Sequence, residues 1–128
     1  MKLPICGSRE FSDYDYFSRR LDEYLSSADL SKIEIVSGGA RGADSFAERY
    51  AQDRNLKFTK FPADWQQYGR AAGYIRNGEM AKYCSGPMNT TIAFWDGKSL
   101  GTKHMMRTAL KERMSVVKFI IKKGNEND

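Results

Sequence analysis

Four glycine-bearing segments carry the side chains best suited to chemistry. Gly7-Ser8-Arg9 follows a short apolar run. Glycine lets the backbone approach a ligand closely, Ser8 adds a hydroxyl, and the planar fork of Arg9 matches phosphate. The same three residues also make an ordinary strand-to-loop turn with an exposed arginine. The segment Ser37-Gly38-Gly39-Ala40-Arg41-Gly42-Ala43-Asp44 is a stronger signal. Its glycines precede a helix start, where free N–H groups and the helix dipole favour an anion. It is not the dinucleotide fingerprint, because Ser37 stands at the first glycine of G-x-G-x-x-G. It is not a P-loop either, because no Gly-Lys-Ser/Thr follows. Asp44 is placed to accept from a ribose hydroxyl or simply to start the helix.

The third segment runs from Phe61-Pro62-Ala63-Asp64-Trp65 to Met80. Asp64 is by default a helix N-cap, and Trp65 either stacks on a base or fills the core. Arg76 and Met80, four residues apart, share a helix face. That spacing puts Met80 in the core and Arg76 at the rim, where it meets phosphate, with Asn77 beside it. The fourth segment, Asp96-Gly97-Lys98-Ser99-Leu100-Gly101-Thr102, repeats the combination of glycine, hydroxyl and helix start, and so is a second candidate anion site. In this reading Arg9, Arg41 and Arg76 neutralise phosphate, and Asp44 or Asp64 holds ribose.

The elements that must position these loops alternate. Leu3 to Cys6, Ile33 to Val36, Lys57 to Phe61, Thr90 to Trp95 and Val116 to Ile121 read as strands, the third near an edge. Ser12 with Asp15 matches a capping box and opens a helix with Tyr14, Phe17, Leu21, Tyr24 and Leu25 on one face. A second helix turns Phe46, Ala47, Tyr50 and Ala51 inward, with Ser45 and Glu48 as its cap. Asp64 to Tyr83 is mostly helical, interrupted or weakened at Gly69, Gly73 and Gly78. Thr102 to Met114 is a helix with Met105, Met106, Ala109 and Leu110 inward. Such alternation predicts an α/β fold: a mostly parallel five-stranded sheet flanked by helices, in one domain over residues 1–121. The polar tail, residues 122–128, is expected to be flexible. Parallel sheets bind ligands at the carboxyl ends of their strands, where all the glycine-rich loops fall.

Composition narrows the chemistry. The 128 residues are 41% hydrophobic, enough for one core. A net charge of +5 favours anionic partners but is too mild to name nucleic acid. Cys6 and Cys84 form no C-x-x-C pair, and His104 is the only histidine. Disulfide, metal and Ser-His-Asp chemistry are therefore disfavoured. The N-terminal apolar run is broken by Gly7, Ser8 and Arg9, too early for a signal peptide, and no stretch could span a membrane. A reduced, cytoplasmic setting without a required cofactor is expected. Self-association into a homo-oligomer stays open.

Five motifs, in order, resemble the YspA-like, cpYpsA-related branch of the SLOG (SMF/DprA-LOG) superfamily. They are Gly-Ser-Arg-x-Phe (7 to 11), Ser-Gly-Gly-Ala-Arg-Gly-Ala-Asp (37 to 44), Pro-Ala-Asp-Trp (62 to 65), Ala-Gly-x-x-Arg-Asn-x-x-Met (72 to 80) and Asp-Gly-x-Ser-x-Gly-Thr (96 to 102). The resemblance implies a Rossmann-like fold and a pocket for a nucleotide or nucleotide-derived signal such as ADP-ribose or an NAD-related molecule. Relatives of this kind occur in bacterial and phage conflict systems. The superfamily also contains enzymes and DNA-binding proteins, so the resemblance leaves two alternatives: a LOG-like phosphoribohydrolase and a DprA-like single-stranded DNA binder. LOG enzymes use an arginine in Arg-Lys-x-x-Met and a glutamate in Gly-Gly-x-Gly-Thr-x-x-Glu. Arg76 and Met80 match the first, with Asn77 in place of lysine, and Gly101 and Thr102 match part of the second. Arg76 is thus the catalytic candidate if the chain is an enzyme. The glutamate position falls on Met105, which can neither stabilise an oxocarbenium-like charge nor move a proton.

Overall fold

The five apolar runs become strands β1 (Lys2–Gly7), β2 (Glu34–Ser37), β3 (Lys57–Lys60), β4 (Thr90–Trp95) and β5 (Ser115–Ile120). The segments between them form helices α1 (Tyr14–Tyr24), α2 (Ala43–Asp53), α3 (Trp65–Tyr68), α4 (Ala72–Tyr83) and α5 (Leu100–Lys111). The structure is a computed structural model and describes residues 1–121; the expected flexible tail, 122–128, lies outside the described residues. Every strand pair is parallel, and the order is β3-β2-β1-β4-β5. The chain builds outward from β1 through β2 to β3, then crosses to β4 and β5 on the other side. The strand order therefore reverses between β1 and β4, where the carboxyl ends of an α/β sheet open a crevice.

Alternation along the strands divides the core in two. Leu3 and Ile5 of β1 and Ile92 and Phe94 of β4 face the layer of α1 and α2, where Phe17, Leu21 and Tyr50 are buried. Cys6, Val36 and Ala93 face the opposite layer, against Met80 of α4 and Met105 and Ala109 of α5. Phe94 anchors the first layer by stacking on Phe11 at 5.5 Å and packing on Phe17 at 4.7 Å. The β1–α1 loop that carries Ser8 and Arg9 is thus held by an aromatic cluster at its far end.

Several local expectations are corrected. Asp13, not Ser12, caps α1: its carboxylate accepts from the Tyr16 N–H at 3.0 Å. Phe11 is drawn into the core, which moves the helix start one residue along. Tyr24 turns outward because Leu25 takes the buried position. Helix α2 has Gly42 as N-cap rather than a Ser45–Glu48 pair. Helix α5 begins at Leu100, two residues early, because Ser99 accepts from the Thr102 N–H. Its buried stripe is Thr102, Met105 and Ala109, and Leu110 is 60% exposed. Of the three glycines expected to weaken the third segment, only Gly69, with φ +57°, breaks it; Gly73 and Gly78 lie inside α4.

Gly42 cannot be another residue without cost. Its φ is +75°, and a Cβ there would collide with the Ser8 carbonyl oxygen. Strain and overpacking each cost about 1–3 kcal/mol. Gly42→Ala is expected to lower stability by about 2–6 kcal/mol on these terms. Gly78, with open space around it, has no such demand, so Gly78→Ala is expected to raise stability by ~0.5–1 kcal/mol. Urea unfolding of both variants checks the pair; a Gly42→Ala protein as stable as the parent would refute the packing account.

Candidate functional site

Backbone satisfaction explains the shape of the loops at the carboxyl edge. The Ser8 N–H continues the sheet ladder to the Phe94 carbonyl at 3.0 Å, and the Ser8 carbonyl accepts from Ala43 N–H at 3.3 Å. The β2–α2 loop closes on itself. Ser37 Oγ donates to the Asp44 carbonyl at 3.1 Å, and the Asp44 carboxylate accepts from Ala40 N–H at 3.1 Å. In the β4–α5 loop, Asp96 Oδ1 accepts from the N–H groups of Lys98 and Ser99, both at 2.8 Å. Ser8 Oγ donates to Asp96 Oδ2 at 3.5 Å, joining the first loop to the last.

Between these loops lies an open cavity of about 480 Å³, within the size range of small-molecule sites. Of the residues singled out from sequence, Gly7, Ser8, Arg9, Gly38, Asp44, Arg76, Asn77, Asp96, Ser99, Gly101 and Thr102 line it. Gly39 and Arg41 do not. They line an adjoining cavity of about 420 Å³, which shares Arg9, Gly38, Ala40, Trp65 and Arg76 with the first. Asp64 caps α3 through the Gln67 N–H at 3.1 Å and faces a separate hollow of about 140 Å³ rather than the main cavity. Gly42 and Gly97 line none of the three; they shape turns. Trp65 is not in the core but 51% exposed at the junction of the two larger cavities.

Arg76 is buried, not placed at the rim. Its Nη1 donates to the Gly38 carbonyl at 2.6 Å and, more weakly, to the Phe61 carbonyl at 3.4 Å. Its Nε donates to Asn77 Oδ1 at 3.1 Å. Gly38 must be glycine for this contact, because any Cβ would collide with the guanidinium. Asn77 extends the chain of bonds: its Nδ2 donates to the Gly101 carbonyl at 3.2 Å and meets His104 Nδ1 at 3.1 Å. Because Asn77 Oδ1 is taken by Arg76, the amide must present its NH₂ to His104. That sets Nδ1 as the acceptor and puts the imidazole proton on Nε2. His104 stacks on Tyr74 at 4.3 Å. Burial, and then the charge of Lys111, holds its pKa below the ordinary imidazole value, consistent with the neutral acceptor. Sequence reasoning counted His104 only as too few histidines for a metal site. Its partnership with Asn77 crosses from α5 to α4, and only its place three residues after Gly101 on a helix hinted at it.

The floor of the cavity is apolar: Cys6, Met80 and Met105. Met105, which the resemblance sets against the LOG glutamate, is 1% exposed yet lines the cavity. Burial pushes the Cys6 thiol pKa up, so it is not a ready thiolate. Burial also raises Asp44, to about 6, against the lowering effects of the Ala40 N–H, Arg76 and Arg9. Asp96 stays ionised: burial opposes it, but the N–H groups of Lys98 and Ser99 outweigh that and hold its pKa low. Among the described residues no group of three or more His, Cys, Asp or Glu side chains could hold a metal, and no helix is long and apolar enough to cross a membrane.

The raised Asp44 pKa has a measurable consequence. The folded state holds this proton more tightly than the unfolded chain, whose carboxyl has the ordinary value of 3.8. The stability it brings is full below about pH 4 and is lost as pH rises through about 6. At about 1.4 kcal/mol per unit, ionised Asp44 costs ~3 kcal/mol at neutral pH. Asp44→Asn keeps an acceptor for Ala40 and never ionises. It is expected to be more stable than the parent by about 3 kcal/mol at pH 7.5 and no more stable at pH 4. Urea unfolding at both pH values checks this, and a pH-independent difference would refute it.

A model of the YspA, cpYpsA-related SLOG family matches residues 1–68, from β1 through α3. The "Gene 61 protein" of Mycobacterium phage D29 is 37% identical over 123 residues, covering 92% of this chain and 95% of that protein. No solved structure matches. The matched segment contains both glycine loops that carry Arg9 and Asp44, and the phage relative extends the likeness over the rest of the sheet and α5: the chain belongs to the YspA, cpYpsA-related SLOG family.

Proposed function

We propose that the chain binds a nucleotide-derived ligand, a nucleoside phosphate or a molecule of the ADP-ribose or NAD type, in the cavity of about 480 Å³. It acts there as a sensor or ligand-binding domain. The observation that carries this reading is the contrast between walls and floor. The walls hold carboxylates and arginines at the strand ends, and the floor holds Met105 where LOG enzymes have their glutamate. Asp44 has one carboxylate oxygen committed to Ala40 and a second to accept from a sugar hydroxyl. Arg9 and the Nη2 edge of Arg76, which has no partner among the described residues, offer charge-assisted bonds to phosphate. Trp65 and Tyr74, 51% and 47% exposed, flank the mouth and offer aromatic faces to a base. Cys6 and Cys84, both buried and free, fit a reduced, cytoplasmic setting.

Asp44 favours a second reading, a hydrolase of an N-glycosidic bond in such a ligand. A buried carboxyl with pKa about 6 is tuned for proton transfer near neutrality. In that reading water attacks the anomeric carbon, the base leaves, and Asp44 moves the proton that Met105 cannot.

A thermal-shift and calorimetric screen against AMP, ADP-ribose and NAD, followed by chromatography for free base, tests both. Saturable binding is expected; a ligand at a hundred times its Kd adds about 2.7 kcal/mol of stability, or roughly 5–15 °C in Tm. Arg9→Ala and Tyr74→Ala are each expected to weaken binding about tenfold, near the 1.4 kcal/mol of one charge-assisted bond or aromatic contact. No free base is expected. Absence of binding would sink the proposal, and rapid base release lost in Asp44→Asn would replace it with the second reading.

A further inference from the structure

The two adjoining cavities differ in charge. In the first, arginines and carboxylates face one another: Arg9, Arg70 and Arg76 against Glu10, Asp44 and Asp96. The second, of about 420 Å³, is lined by Arg9, Arg41 and Arg76 and by no carboxylate. Arg9, Arg76 and Trp65 line both cavities where these join, an internal rim distinct from the solvent-facing one below which Arg76 is buried. Among the described residues, a sugar finds carboxylate acceptors in the first cavity and none in the second. A polyanion finds positive charge without facing carboxylates only in the second.

We propose that the second cavity is a subsite for the distal phosphate of a nucleoside diphosphate or another pyrophosphate-bearing nucleotide. The proximal phosphate lies at the rim between Arg9 and Arg76. The inference rests on the reading above, in which the first cavity takes the nucleoside part. Arg41 has a partner in the free protein: its Nη2 donates to Glu10 Oε2 at 2.9 Å. Both side chains are more than half exposed, at 71% and 55%. An ion pair of that kind is worth little, and the guanidinium fork matches a phosphate at least as well as a carboxylate. A monophosphate reaches only the rim and leaves Arg41 with Glu10. A second phosphate extends past the rim and takes Arg41 from Glu10.

Calorimetry with AMP, ADP, GMP and GDP at 0.15 M ionic strength tests this, a salt level at which exposed charges more than about 8 Å apart are largely screened. The proteins are the parent, Arg41→Ala, Ala63→Glu, which puts a carboxylate into the second cavity, and Arg113→Ala. Arg113 follows α5 at the opposite edge of the sheet and controls for net charge. For at least one base the diphosphate is expected to bind about tenfold more tightly than the monophosphate. Arg41→Ala and Ala63→Glu should erase most of that gap and leave monophosphate affinity within about twofold, while Arg113→Ala changes neither. Equal binding of mono- and diphosphates by the parent would overturn the subsite alone. So would an Arg41→Ala loss shared equally by both ligands or matched by Arg113→Ala. If none of the four binds the folded parent, the nucleotide reading falls and the subsite with it.

Discussion

A buried guanidinium cannot leave its N–H groups unsatisfied, because an unpaired charge out of water costs several kcal/mol. Through Nε and Nη1, Arg76 meets most of that demand without forming an ion pair among the described residues, and Nη2 is left without a partner among them. It uses the carbonyls of Gly38 and Phe61 and the side chain of Asn77. These bonds tie α4 to the loops that follow β2 and β3. Through Asn77 they reach Gly101 and His104 on α5. The two helices that cover one face of the sheet are therefore coupled to two of its carboxyl-end loops by one polar chain. The lining of the main cavity follows from that coupling. Gly38 stays a glycine because Arg76 fills the space of its Cβ. Asn77 keeps one amide orientation because each end has a fixed partner.

The same chain explains why the site is polar above and apolar below. Met80, one turn after Arg76, goes into the sheet with Cys6, Val36, Ala93 and Met105. Arg76 itself stays where the sheet ends and backbone carbonyls become available. Asp44 completes the contrast from the other layer. Its carboxylate closes the β2–α2 loop on Ala40 at the edge of the cavity, where burial penalises its charge and two arginines offset part of that penalty. The edge of the cavity thus sets a carboxyl whose charge burial penalises beside arginines whose charge favours it.

Much of the fold was legible because hydrophobic period and glycine punctuation act locally. Five apolar runs, the first four each ending at or just before a glycine or proline, are enough to give five strands, and their alternation with helical segments requires parallel pairing. Local rules failed where two candidates compete within a turn. Ser12 and Asp13 are both good caps, and the burial of Phe11 decided between them. Leu110 lies on the helical period of an inward stripe, yet Met105 and Ala109 fill the space against the sheet and leave it in solvent.

The sequence by itself determined which loops would gather: Gly7 to Arg9, Ser37 to Asp44 and Asp96 to Thr102 follow strands whose parallel pairing forces them to one edge. It also places Met105 where the resemblance to LOG enzymes implies a glutamate. What each side chain does there depends on the packing of the fold. Arg41 and Arg76 look alike as residues in glycine-rich segments, but one pairs with Glu10 in solvent and the other is buried against Gly38. Asp64 and Asp44 look alike as helix-start carboxylates, but one caps α3 facing solvent and the other faces the cavity. His104 carried little signal beyond its place after Gly101 until α4 and α5 packed together. The reason is physical: a residue type fixes which bonds a group can make, but burial and partner geometry, set by contacts distant in sequence, fix which of them it does make.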